Sequence, residues 1–241
     1  MKITGLVLVA ATLAGTGCSK SSAHADRDED AWPIAFAAWM PVGAERAWQG
    51  AWASRLTLRP TGPTTLAGDP TALDIRGTRA TSFDGKTEQA LGFEVVAPCE
   101  AQFTQAIDDG SMKGTAYYGV HYLLAGESLR VGRGAAGYRR GKAAIVCGRG
   151  IHVLDASGAC TTWEKLATWR QRPETCTWSH EDGKDVLTIG AGEWALEVVA
   201  DGDLLADEQF RHDVSEGYHR AATDFSAAKR DVVAQVQAGA R

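Results

Sequence analysis

Four Asp-Gly dipeptides, Asp84-Gly85, Asp109-Gly110, Asp182-Gly183 and Asp201-Gly202, each stand between two short runs of β-forming residues. Asp-Gly readily adopts the positive φ angles that a tight hairpin turn demands, so each dipeptide predicts two adjacent antiparallel strands. Runs with strand character fall at 72–76, 79–83, 91–96, 101–106, 115–123, 128–131, 142–147, 151–154, 175–180, 185–189, 193–199 and 204–210. A first strand begins at Trp52, with Leu56 and Leu58 facing inward and Arg55, Thr57 and Arg59 outward. Helical spacing occurs at the two ends. Trp32, Phe36, Trp39 and Met40 form a short pattern with Asp30 or Ala31 as the cap and Pro41 as the stop. Val214, Tyr218, Ala221, Ala222, Phe225, Val232 and Val236 place one apolar stripe along a helix at 213–238, about seven turns long. These elements predict a mainly β fold: an antiparallel barrel or a sandwich with one long C-terminal helix on its outer wall.

The chain of 241 residues carries 25 Lys and Arg against 30 Asp and Glu, and a net charge of −5 offers no global field to hold nucleic acid. Residues 1–17 open with Lys2 and an apolar run, Leu6 to Ala11, too short to span a bilayer as a mature helix and reading as a secretory signal. Gly15-Thr16-Gly17-Cys18-Ser19 follows it and resembles the lipobox of bacterial lipoproteins, with Gly15 where Leu or Val is usual. The resemblance implies lipidation of Cys18 as the mature N-terminus, membrane attachment through that lipid, and outer-membrane sorting because Ser19 comes next. Cleavage after Ala23-His24-Ala25 is the alternative, and it would give a soluble periplasmic or secreted protein. Residues 18–30, small, polar and charged, read as a tether, and 31–212 as the β-rich domain. The four remaining cysteines of an exported chain imply two disulfides, with three possible connectivities. The expected pairs are Cys160–Cys176, closing a loop in which Trp163, Leu166 and Trp169 have helical spacing, and Cys99–Cys147.

Gly50-Ala51-Trp52, after a short helix and at the start of the first strand, resembles the GxW motif of lipocalins and the wider calycin barrels. That resemblance implies a Trp at the closed end of a barrel beneath a basic side chain from the segment after the last strand. Arg211, after the run ending at Phe210, is the expected partner of Trp52. The second lipocalin motif, of TDY type, is absent. Gly132-Arg133-Gly134-Ala135-Ala136-Gly137 matches GxGxxG, but 138–150 is too rich in Gly to continue as a helix, so the stretch reads as turns between strands. His212, Glu216 and His219 would share one face of the terminal helix and are the only metal-ligand candidates there, with a solvated face as the plainer account. No nucleophile elbow or paired-acid site is visible, so no enzyme activity and no cofactor are expected. The expected role is non-catalytic binding of a small apolar ligand or an envelope component by a lipid-anchored barrel. The alternative is a structural or interaction module of the envelope with a filled core.

Overall fold

The computed structural model describes residues 33–55, 70–108, 110, 113–165 and 169–239. Two short helices, α1 (Ile34–Ala37) and α2 (Ala44–Ala47), precede the first sheet. That sheet contains β1 (Gly50–Ser54), β2 (Thr71–Arg76), β3 (Arg79–Phe83), β4 (Glu88–Ala97), β5 (Glu100–Asp108), β6 (Lys113–Ala125) and β7 (Ser128–Gly132). The second contains β8 (Ala136–Arg140), β9 (Ala143–Cys147), β10 (Ile151–Leu154), β11 (Cys160–Lys165), β12 (Trp169–Glu174), β13 (Cys176–Glu181), β14 (Lys184–Ile189), β15 (Leu196–Asp201) and β16 (Leu204–Ala206). The chain then forms α3 (Glu208–Ser215), returns to the first sheet as β17 (His219–Ala221), and ends in α4 (Phe225–Gly239). The protein is mainly β, and both sheets are antiparallel and nearly closed into barrels.

In the first barrel the order is β17-β1-β2-β3-β4-β5-β6-β7, and the two edge strands β17 and β7 lie beside each other. Alternation along the strands sends Trp52, Leu73, Ile75, Phe93, Phe103 and Tyr122 into one apolar cluster. Trp48, at the end of α2, fills the middle of it with ring centroids 5.5 Å from Phe93 and 5.6 Å from Tyr122. The second barrel has the order β12-β11-β10-β9-β8-β16-β15-β14-β13. Only Thr175 separates β12 from β13, so its two edges are consecutive halves of one bent strand. The first half pairs with β11 and the second with β14, and a path round the sheet therefore returns to the strand it left. The Cys160–Cys176 disulfide staples this corner, and Leu154, Val146, Leu187, Val198 and Leu205 fill the interior.

Three of the Asp-Gly turns fall between β3 and β4, β13 and β14, and β15 and β16, and Asp182 and Gly183 both have positive φ, 49° and 78°; Gly110 stands between β5 and β6, and Asp109 lies outside the described residues. Three expectations are corrected. The C-terminal helix is α4 alone, because Gly217, at φ 63°, ends α3 and Asp224 starts α4 by accepting a hydrogen bond from the Ala227 N–H. The run 204–210 is a strand only to Ala206, since Asp207 caps α3 there through the Phe210 N–H. Trp163 and Trp169 are not helical but lie on β11 and β12 of a hairpin, whose fold-back puts both rings against Phe36 of α1 at 5.7 and 5.2 Å. Leu166 lies outside the described residues, as do Cys18, Asp30, Ala31, Leu56 and Leu58.

Candidate functional site

The strand pattern itself shows where the barrels are covered from outside. A strand with one wet face alternates apolar with polar, yet β6 buries Tyr122, Leu123 and Leu124 in succession. Tyr122 and Leu124 point into the first barrel, so Leu123 must be covered on its outer wall. It packs with Ala136 and Ala206 of the second barrel and with Phe210 of α3. At this seam opens a groove of 310 Å³, lined from the first barrel by Leu123 and Arg130, from the second by Lys184, Val199, Asp201 and Leu204, and from α3 by Phe210, Arg211 and Val214.

The groove's third wall, α3, is held by polar contacts at both ends. Asp207 accepts from the Phe210 N–H at 2.7 Å and from the Ala135 N–H at 2.8 Å, joining the helix start to the loop between the barrels. Asp213 is 1% exposed and accepts from the Arg133 backbone N–H at 2.8 Å, from its guanidinium at 3.0 and 2.9 Å, and from Gln209 at 2.8 Å. Burial raises the Asp213 carboxyl, but the bonds from Arg133 outweigh it and leave the pKa below the ordinary value. Gly132 and Gly134 supply the room. A Cβ on Gly134 would run into the Asp207 carboxylate and the Phe210 amide, so the glycines of the GxGxxG-like stretch serve close backbone approach between strands and helix.

The sequence-derived site residues are placed as follows. Both disulfides have the expected pairing: Cys99–Cys147 bridges the β4–β5 turn of one barrel and β9 of the other, and Cys160–Cys176 lies within the second. Gly50, at φ 113°, opens β1, and Trp52 is buried within the first barrel, donating its indole N–H to the Trp48 carbonyl at 3.0 Å. Its stacking partner is His219, at 4.0 Å between centroids and 20° between planes. Arg211 instead lines the groove, because helix formation from Asp207 carries it off the strand end. His212 and Glu216 remain at the end of α3, whereas His219 enters the first barrel on β17, so the three do not form a metal site. Neither His219 ring nitrogen has a hydrogen-bond partner among the described residues, and burial pushes its pKa down to about 3. A second buried histidine, His152, contacts the Thr162 hydroxyl at 2.9 Å inside the other barrel. Burial drives its pKa down to about 4.

Of the groove residues only Arg211 was a site candidate in the sequence, Asp201 and Val214 being read there as a turn and as part of a helix stripe, because the lining comes from segments far apart in the chain. The legible trace was the two-sided burial at 122–124. The chain shows no significant match to any protein-family model, curated protein or solved structure.

Proposed function

We propose that the protein is an exported, lipid-anchored, non-catalytic binding protein of the cell envelope that holds a small, largely apolar ligand in the groove between its barrels. The observation that carries this reading is the groove itself, a concavity with an apolar floor and a charged rim formed jointly by both sheets and α3. Both barrel interiors are occupied by their own side chains, which supports reading the groove between the barrels, and not either interior, as the ligand site. Two disulfides fit an oxidising, exported compartment. Among the described residues no helix is long and apolar enough to cross a membrane. The lipobox-like stretch Gly15-Thr16-Gly17-Cys18-Ser19 supports attachment through Cys18, and Cys18→Ala should release the protein from the membrane fraction or leave a precursor of higher mass. Unchanged fractionation and mass would remove the anchor from the proposal.

The binding reading is tested with an uncharged polyene dye such as diphenylhexatriene. Its fluorescence should rise on addition of the protein, and Leu204→Glu, which puts a charge on the groove wall, should weaken binding by about tenfold, the order of one lost apolar contact and a buried charge. The filled interiors also favour the second reading, an envelope interaction module in which the groove receives part of another protein. Absence of dye binding, with the fold intact, would favour that module.

A further inference from the structure

We propose that the ligand of the inter-barrel groove is a single-chain amphiphile with an anionic head, of which a long-chain carboxylate is the simplest form; this rests on the groove being a ligand site. Arg130 of β7, Lys184 of β14 and Arg211 of α3 come from three separate elements and line the same groove. None of the three has an ion pair or side-chain hydrogen bond among the described residues. Some cations elsewhere are matched, Arg133 with Asp213, Arg139 with Asp185, Arg172 with Glu164 and Glu174, and Lys229 with Glu88, while others such as Arg79 and Arg230 have no ion pair among the described residues, so what sets these three apart is their convergence on one groove. Among the described residues Asp201 is the one carboxylate on the lining, so these residues give the groove a net charge of +2.

Arg130, Lys184 and Arg211 are all exposed, so their like charges repel one another at the rim, and an anion placed among them gains charge-assisted hydrogen bonds there. The floor is of the opposite character. Leu123 and Phe210 are 2% and 1% exposed, and Leu204 and Val214 extend the same surface. The side chains of Arg and Lys can lay their methylenes along such walls while keeping the charged ends at the rim. An occupant complementary to both features has an alkyl portion on the floor and a negative group at the rim. A volume of 310 Å³ is at the low end of ligand pockets, about 300–1,000 Å³, which favours one chain over the two of a phospholipid.

The test uses the exported protein as purified from cells and two photoreactive probes of equal length, a diazirine-bearing dodecanoate and the corresponding neutral alcohol, with labelled peptides mapped by mass. The acid should label the 199–214 region at least tenfold more efficiently than the alcohol. Lys184→Gln combined with Arg211→Gln should cut labelling by the acid at least tenfold and leave the alcohol unchanged, with an unaltered melting temperature showing that the fold is kept. Equal labelling by both probes, insensitive to the charge variants, would overturn the headgroup assignment while the apolar groove stood. Failure of either probe to label the groove, together with failure of the dye to bind, would overturn both readings.

Discussion

His219 shows how one side chain ties the stability of the first barrel to pH. Its ring is stacked on Trp52 and lies 5.3 Å from the Trp48 centroid, so a proton added there would put an unpaired charge among aromatic rings. An unfolded histidine takes up a proton near pH 6.5, whereas burial holds the folded one down to about 3. Protonation in this interval therefore favours the unfolded chain. The contribution of neutral His219 is complete above pH 6.5 and is lost as pH falls toward the folded value, at about 1.4 kcal/mol per pH unit. Between about pH 7 and about pH 5 the loss is on the order of 2 kcal/mol for this group. His152, pushed down to about 4 chiefly by burial, adds a loss of the same sign. Urea unfolding at the two pH values should show the wild type losing more stability than His219→Leu. Equal losses in the two proteins would refute the assignment.

At the scale of elements, α3 is the part on which the groove most depends. Asp213→Ala should destabilise the protein by about 3 kcal/mol, the low end for breaking a buried pair, because Arg133 can turn to solvent once its partner is gone. Urea unfolding measures this directly, and a loss below about 1 kcal/mol, the size of an exposed pair, would make the contact a surface one. Gly134→Ala should displace the start of α3 and cost about 1–3 kcal/mol, the range of an overpacked site, with loss of dye binding alongside. The elements differ in how far the sequence announces them. Hairpins with Asp-Gly turns were legible because a local dipeptide dictates a local backbone, and β3 and β10 coincide with the expected runs. The strands β8, β12 and β17 were not, since Ala136–Arg140 and Trp169–Glu174 lack clean alternation and His219–Ala221 pairs with β1 over a distance of some 170 residues. The seven-turn helix failed for a comparable reason. Its apolar spacing carries through Gly217, but Tyr218 is used in the barrel and Ala228 and Val232 against Ala72 of β2. The groove was the least legible feature, because no local pattern records that Arg130, Lys184 and Arg211 converge.

The path of the chain through the whole molecule interlocks the two barrels. It completes β1 to β7 in the first barrel, passes through the second from β8 to β16, and returns to lay β17 against β1, with Trp52 opposite Ala221. The first barrel thus closes only after the second has been traversed. A disulfide between the barrels reinforces this order. Cys99 and Cys147 are 48 residues apart, against 16 for Cys160 and Cys176, and the loop-entropy relation gives about 4 and about 3 kcal/mol for the two. The Cys99→Ser/Cys147→Ser protein should therefore unfold at lower urea than Cys160→Ser/Cys176→Ser, and the reverse order would show that the corner of the second barrel matters more than the link. The return strand makes a sharper demand. Deleting 217–241 removes β17 with His219, the Tyr218 ring under Arg133, and α4 with the Val232 and Ala228 contacts to β2. The first barrel would then expose Trp48 and Trp52, while the bent strand of β12 and β13 still closes the second. Hydrogen exchange on the truncated protein should show fast exchange in β1, β2 and β7 and retained protection in β9, β10, β14 and β15. Uniform loss of protection across both sheets would mean that the second barrel cannot stand without the first.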